Sequence, residues 1–345
     1  MISLPANTLL MCLRWFAVLS AAALAVAATR PHYGGTLRVE VAESIETADP
    51  PQIGPGMADL GGAFSVTRWE GGHAAVYSAG ESAEGGRPFL DSVEIQMGRA
   101  LRDQAIDLET GKADLVELGL AEIRRPAPAR KIWNTAPVRL IALSFAPRVT
   151  DERVREALAL SVDRGAIHSV LLQRQGEISG GLLPQWISGY AFLFSTAADP
   201  ARARSIVSGL PPQARAVTLS FEDPWLRPMA ERIALNARDA GLSVSTAGSN
   251  PAADVRLLEV RITASDPSVA LARTAATLGL AEPPRADSPE ALFTAERALL
   301  EGFRVVPLFH LPYFYGVSSR VRGGPGITPL GEWRFENLWL EGSRP

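Results

Sequence analysis

The chain has 345 residues, 47% hydrophobic and 21% charged, with a formal charge of −3. These values describe a globular protein of two ordinary domains or one large one, and exclude a disordered or polytopic membrane chain. The charge offers no electrostatic pull toward nucleic acid or an anionic bilayer, and the single cysteine, Cys12, falls in an N-terminal export segment, so the mature chain is expected to hold no disulfide, thiol nucleophile or thiolate metal site.

Arg14 precedes a short apolar run, residues 16–28, that ends in small residues, the form of a secretory signal with cleavage after Ala27 or Ala28. The run is shorter than the ~20 apolar residues that span a bilayer. Met11 is an alternative start, and Cys12 precedes the apolar run, so soluble export is expected rather than a lipid anchor. Residues 34–41 alternate as a strand and lead into a loop, residues 43–51. Val93, Ile95 and Met97 mark a second alternating strand, and residues 99–110 follow as a helix with Leu101, Ala105 and Leu108 on one face. Gly111 caps that helix before the strand beginning at Asp114. The basic, Pro-rich stretch 124–131 reads as a solvated connector.

Residues 138–145 form an apolar run of buried-strand length, stopped by Pro147. Thr150 stands at the N-cap of the next helix, where Val154, Ala157, Leu158 and Ser161 share one face while Arg153, Arg155 and Glu156 point outward. Asp163 caps a second helix with Ala166, Ile167, Val170 and Leu171 on one side, and Gly180, Gly181 and Pro184 end it in an aromatic-bearing loop. Strands at 216–221 and 254–262 and helices at 228–240 and 288–301 complete a βα rhythm. Residues 305–310 read as a buried strand returning to the first half of the fold.

No catalytic or metal motif stands out. His32, His73, His168 and His310 are scattered, the Gly-Gly pairs precede no phosphate-binding helix, and no nucleophile elbow is present. Aromatic side chains are the better clue: Trp69, Phe145, Trp186, Tyr190, Trp225, Tyr313 and Tyr315 fall at strand ends or loops, where ligand clefts use such groups. Arg38, Arg139 and Arg261 alternate outward on strands and read as solvated.

The ordered run Asp151, Arg153, Val154, Arg155, Ala157, Leu158, Asp163, Arg164, Ala166 and Ile167, then Leu183-Pro184 and Gly189-Tyr190, resembles the extracytoplasmic solute-binding proteins of ABC importers. The nearest branch takes up oligopeptides, dipeptides and nickel chelates. The opening G-G-T-L-R-V strand, Asp49-Pro50, Asp199-Pro200 and the closing L-W-L at Leu338 to Leu340 extend the resemblance over residues 34–340. Two departures stand out. The Gly-Phe-Val-Trp motif at residues 61–72 lies well downstream in relatives, so a subdomain is missing between it and the first loop. Relatives also often carry an Asn and a Tyr-Trp pair where this chain has Gly80, Ala83 and Glu84.

The resemblance implies an α/β, two-lobed periplasmic-binding-protein-like fold of class II type, with one family subdomain missing. Lobe I is expected at 29–140 plus 303–345 and lobe II at 141–302, with crossings near 141–145 and 305–311. The expected partners are a small solute or peptide and the importer's membrane subunits, with no cofactor and no enzymatic activity. Glu46 and Asp49 from the first loop, Phe145 at the crossing, and Trp186 and Tyr190 from the second lobe are the expected ligand residues, their carboxylates favouring a cationic or amine-bearing solute. The competing readings are a degenerate scaffold that has lost its ligand and an exported hydrolase. The first is favoured by the missing subdomain and by Ala146 in place of the family's Asn.

Overall fold

The structure, a computed structural model, describes residues 30–44, 63–81, 86–125, 127, 130–190 and 195–342. The expected export segment, Glu46 and Asp49 lie outside the described residues. Among the described residues no helix is long and apolar enough to cross a membrane.

Two sheets organise the chain. The first contains β1 (Thr36–Glu40), β2 (Phe64–Glu70), β3 (Ala74–Ala79), β4 (Ser92–Gln96), β5 (Leu115–Leu118), β6 (Arg130–Asn134) and β13 (Phe314–Ser318), in the order β2-β3-β4-β1-β5-β13-β6. The second contains β7 (Arg139–Phe145), β8 (Glu177–Ile178), β9 (Ala216–Phe221), β10 (Ser243–Ala247), β11 (Val255–Arg261) and β12 (Val305–Leu311), in the order β10-β9-β11-β7-β12-β8. A small ribbon, β14 (Val321–Arg322) with β15 (Trp339–Leu340), closes the chain.

The helices are α1 (Leu101–Glu109), α2 (Leu120–Ile123), α3 (Glu152–Ser161), α4 (Arg164–Ala166), α5 (Gln185–Ser188), α6 (Pro200–Ser208), α7 (Arg227–Asp239), α8 (Pro267–Thr277) and α9 (Pro289–Leu300). Three of them start on one device. Asp199, Asp266 and Ser288 each accept a backbone N–H of the first turn, and a proline follows each at the first helical position, where its missing N–H costs nothing.

The uninterrupted apolar run of β7 has a direct cause. Ile141, Leu143 and Phe145 face one core, with α3 and α7 over them. Val138, Leu140 and Ala142 face the other, under α8 and α9. A strand covered by helices on both faces has no polar side to alternate. In the first sheet Val93, Ile95 and Met97 do alternate, packing with Leu37 and Val39 in a core that Phe335 and Leu338 of the C-terminal segment complete.

Four readings need correction. The chain leaves the first sheet after β6 and re-enters it only at β13, so both Arg139–Phe145 and Val305–Leu311 belong to the second sheet. The crossings are therefore residues 135–138 and 312–313. They are tied together by Thr135, whose N–H donates to the Tyr313 carbonyl (3.1 Å) and whose Oγ1 accepts the Tyr313 N–H (2.9 Å). Asp151, not Thr150, is the N-cap of α3, accepting from the Arg153 amide.

Arg155 does not point outward. It is buried, and its guanidinium donates to the carbonyls of Gly302 (2.6 Å), Val149 (2.8 Å) and Thr150 (3.0 Å). Asp163 does cap the next helix, but α4 passes at once into a π-helical turn, Ile167–Leu171. The wider turn breaks the i, i+3, i+4 spacing, so Ile167 is buried while Val170 is 68% exposed.

Candidate functional site

The carboxyl ends of β1, β5, β9 and β11 converge on one crevice, together with the amino ends of the antiparallel β7 and β13. β1 and β5 run parallel in the first sheet, as do β9 and β11 in the second. In open α/β sheets ligands bind outside such ends, where the strand order gives room for a crevice. Here a cavity of about 560 Å³ lies between the sheets, within the range of small-molecule sites. Ala42 and Glu117 reach it from the first sheet, Arg139 and Glu259 from the second, and Tyr313 from the crossing. Its apolar surface comes from residues such as Leu101, Leu120, Val170 and Met229. A second cavity of about 680 Å³ adjoins it, sharing Asp223, Glu259 and Tyr313 and adding Glu43, Glu222 and Arg261.

Arg139 is the electrostatic centre. Glu259, on the neighbouring strand, accepts from its Nε (2.7 Å) and Nη2 (2.6 Å) in a bidentate pair. The guanidinium also stacks over Trp225 (5.1 Å) and Tyr313 (4.7 Å), and Arg261 lies 4.9 Å from the same Tyr313 ring. The Tyr313 hydroxyl donates to Glu259 (3.3 Å), and burial with the neighbouring carboxylate pushes its pKa up to about 12. Across the cleft Glu117 accepts the Ala42 N–H at 2.6 Å, yet burial still raises its carboxyl above the usual range. Arg139 and Arg261, read from the sequence as solvated, are thus cleft residues. The Arg139 side chain is only 18% exposed.

Of the expected ligand residues, the three that are described, Phe145, Trp186 and Tyr190, are not brought together. Phe145 is buried in the second-lobe core at the end of β7 opposite Arg139, so it does not line the interlobe cavity. Trp186 is 43% exposed beside Pro137 and Gln185 in a separate surface depression. Tyr190 packs edge-on against Phe293 and donates its hydroxyl to Glu296. Trp225 and Tyr313, singled out as loop aromatics, do line the cleft. Glu117 and Glu259 escaped sequence reasoning because an acidic residue on an alternating strand carries no local mark of what it faces. Among the described residues no group of three or more His, Cys, Asp or Glu could hold a metal ion.

Glu296 and His310 build a second polar cluster, away from the cleft. Buried Glu296 accepts the N–H groups of Leu182 and Leu183 and the Tyr190 hydroxyl. His310 Nε2 bonds the Leu182 carbonyl at 3.1 Å, which fixes the proton on that nitrogen, because a carbonyl only accepts. Its Nδ1 lies 3.7 Å from Glu177. Complete burial lowers the His310 pKa to about 4. The folded state therefore resists protonation that the unfolded chain accepts near 6.5, and stability is lost as pH falls from about 6.5 toward 4. The expected His310 contribution is about 3 kcal/mol across that window. His310→Gln keeps a donor for Leu182 but does not titrate. Urea unfolding from pH 7 to 4 should show a shallower loss of stability in that variant, and parallel curves would remove His310 from the acid response.

Comparison with known proteins agrees with this architecture. Residues 15–282 match the family described as bacterial extracellular solute-binding proteins, family 5 middle. Among curated proteins none matches the chain. The ABC transporter substrate-binding protein CtaP from Listeria monocytogenes is similar in structure, with a TM-score of 0.69 at 15% identity over 81% of this chain and 66% of that one. NikA from Staphylococcus aureus, solved with Ni(L-His)2, gives 0.68 at 14% identity over 81% and 68%. The oligopeptide-binding protein AppA from Bacillus subtilis, solved with a nonapeptide, gives 0.63 at 14% identity over 81% and 66%. The chain thus spans about two thirds of the length of these structures, as expected of a variant shortened by a subdomain.

Proposed function

The chain belongs to the family 5 bacterial extracellular solute-binding proteins, and from that premise we propose that it captures a small or peptide-like solute for an ABC importer. The observation that carries this reading is the cavity of about 560 Å³ walled by residues of both lobes. A solute seated there touches both lobes only when they close on it, so its binding energy shifts the open–closed equilibrium. The closed form is what the importer's membrane subunits would recognise. An extracytoplasmic setting, where such capture takes place, is in keeping with the export segment expected from the sequence.

One observation favours the alternative of a scaffold without ligand. The polar centre of the cleft is already filled by the internal Arg139–Glu259 pair. A thermal-shift screen separates the two, beginning with the peptides and nickel–histidine complexes with which the similar structures were solved. A true solute at about 100 times its dissociation constant is expected to add about 2.7 kcal/mol of stability. Small-angle scattering should then show a smaller radius of gyration. A flat response across every solute class would leave the scaffold reading.

A further inference from the structure

The charges around the cleft discriminate among solutes, and the inference rests on the solute-binding reading above. An anionic solute needs a guanidinium with donors to offer. Arg139 has its Nε and Nη2 engaged by Glu259, and its face lies over two aromatic rings. Arg261 donates Nη2 to the Leu330 carbonyl (2.9 Å), and its Nε is buried away from solvent. Arg124 sits exposed at the rim, with Glu122 in the same wall.

Negative charge is in excess. The two adjoining cavities together present six carboxylates to three guanidiniums, and with Glu222 paired outside them to Arg256 (3.3 Å) five face three. Glu43 and Glu117 form no ion pair among the described residues, and Asp223 only caps the turn at Trp225. Beside these charges lies the apolar wall, where Val170 and Leu171 of the π-helical turn and Leu120 of α2 meet.

We infer that the solute of this cleft is a cationic amphiphile, with an amine or guanidine head set among Glu43, Glu117 and Asp223, an apolar body against the leucine wall, and no carboxylate. Such a head is attracted to the excess negative charge, carried by Glu43 and Asp223 at the exposed mouth of the cleft and by the half-buried Glu117. A carboxylate could meet Arg139 only at its remaining N–H groups, beside Glu259 and among the neighbouring carboxylates, whose charge repels it.

Isothermal titration of the full mature chain with hexylamine, hexanol, hexanoate and the zwitterionic dipeptide Leu-Leu tests this. Hexylamine is expected to bind about tenfold or more tightly than each of the other three. The double variant Glu43→Gln, Asp223→Asn should lose about tenfold in hexylamine affinity, with hexanol unchanged. Asn retains the capping oxygen, so an unchanged melting temperature checks the fold. Hexanoate or Leu-Leu binding as tightly as hexylamine would overturn the charge assignment while sustaining the solute-binding reading. If none of the four binds, the inference falls, and the broader screen described above then decides whether the solute-binding reading falls with it.

Discussion

Glu296→Ala is expected to remove about 5 kcal/mol of folding stability, while Glu296→Gln costs less than about 1. The carboxylate is the common acceptor for three donors on one loop: the amides of Leu182 and Leu183 and the hydroxyl of Tyr190. Alanine strands all three in a buried site, at about 1–3 kcal/mol each, less whatever an entering water recovers. Glutamine keeps an acceptor oxygen for the two amides, and its NH2 can donate to the Tyr190 oxygen instead.

The pH dependence separates the two substitutions further. Burial raises the Glu296 carboxyl above its usual range. The folded state thus favours the protonated acid, and stability is lost as pH rises from 4.5 through the folded pKa. Glutamine removes that dependence, so the Gln variant should gain on wild type as pH rises. Urea midpoints for the three proteins at pH 5 and pH 8 test this. Equal midpoints for alanine and wild type would mean the loop does not depend on the carboxylate.

Much of the architecture is legible in the sequence because burial and period leave a local record. The alternation at Val93, Ile95 and Met97, the unbroken run of β7 and the Asp-Pro helix starts are each visible within a few residues. The site is legible only in part, because it depends on which end of a strand meets the cleft. The apolar run alone points to residues 141–145 as the crossing and so to Phe145 at the cleft. The crossing is residues 135–138, so Arg139 begins β7 at the cleft and Phe145 ends it about 20 Å away.

The partnership of Arg139 with Glu259 spans 120 positions and depends on the antiparallel register of β7 and β11. No local pattern encodes it. Arg155 misleads for a different reason: its partners are backbone carbonyls, which no side-chain identity announces.

Asp114→Ala is expected to cost about 4 kcal/mol and to loosen the first-lobe wall of the cleft. Asp114 follows the Gly111 turn and is buried at the start of β5. Its carboxylate accepts from the Arg38 amide (3.0 Å) and Nε (3.0 Å) on β1, and from Arg320 Nη2 (2.8 Å) in the turn after β13. Arg38, read from the sequence as solvated, is therefore one arm of a clamp joining β1, β5 and the C-terminal segment. Removing the carboxylate leaves two guanidiniums facing one another. Each is more than a third exposed, so water recovers part of the loss.

Asp114→Asn should lose nearly as much as alanine, because one amide oxygen cannot replace a charge shared by two guanidiniums. A double-mutant cycle with Arg320→Ala isolates the clamp, with an expected coupling of about 2 kcal/mol. The same strands carry Ala42 and Glu117 at their cleft ends, so the Asp114 variants should also show faster amide exchange at Ala42. An additive cycle with unchanged exchange there would reduce Asp114 to a surface-like ion pair, and the rigidity of the first-lobe wall would then have to come from its apolar packing alone.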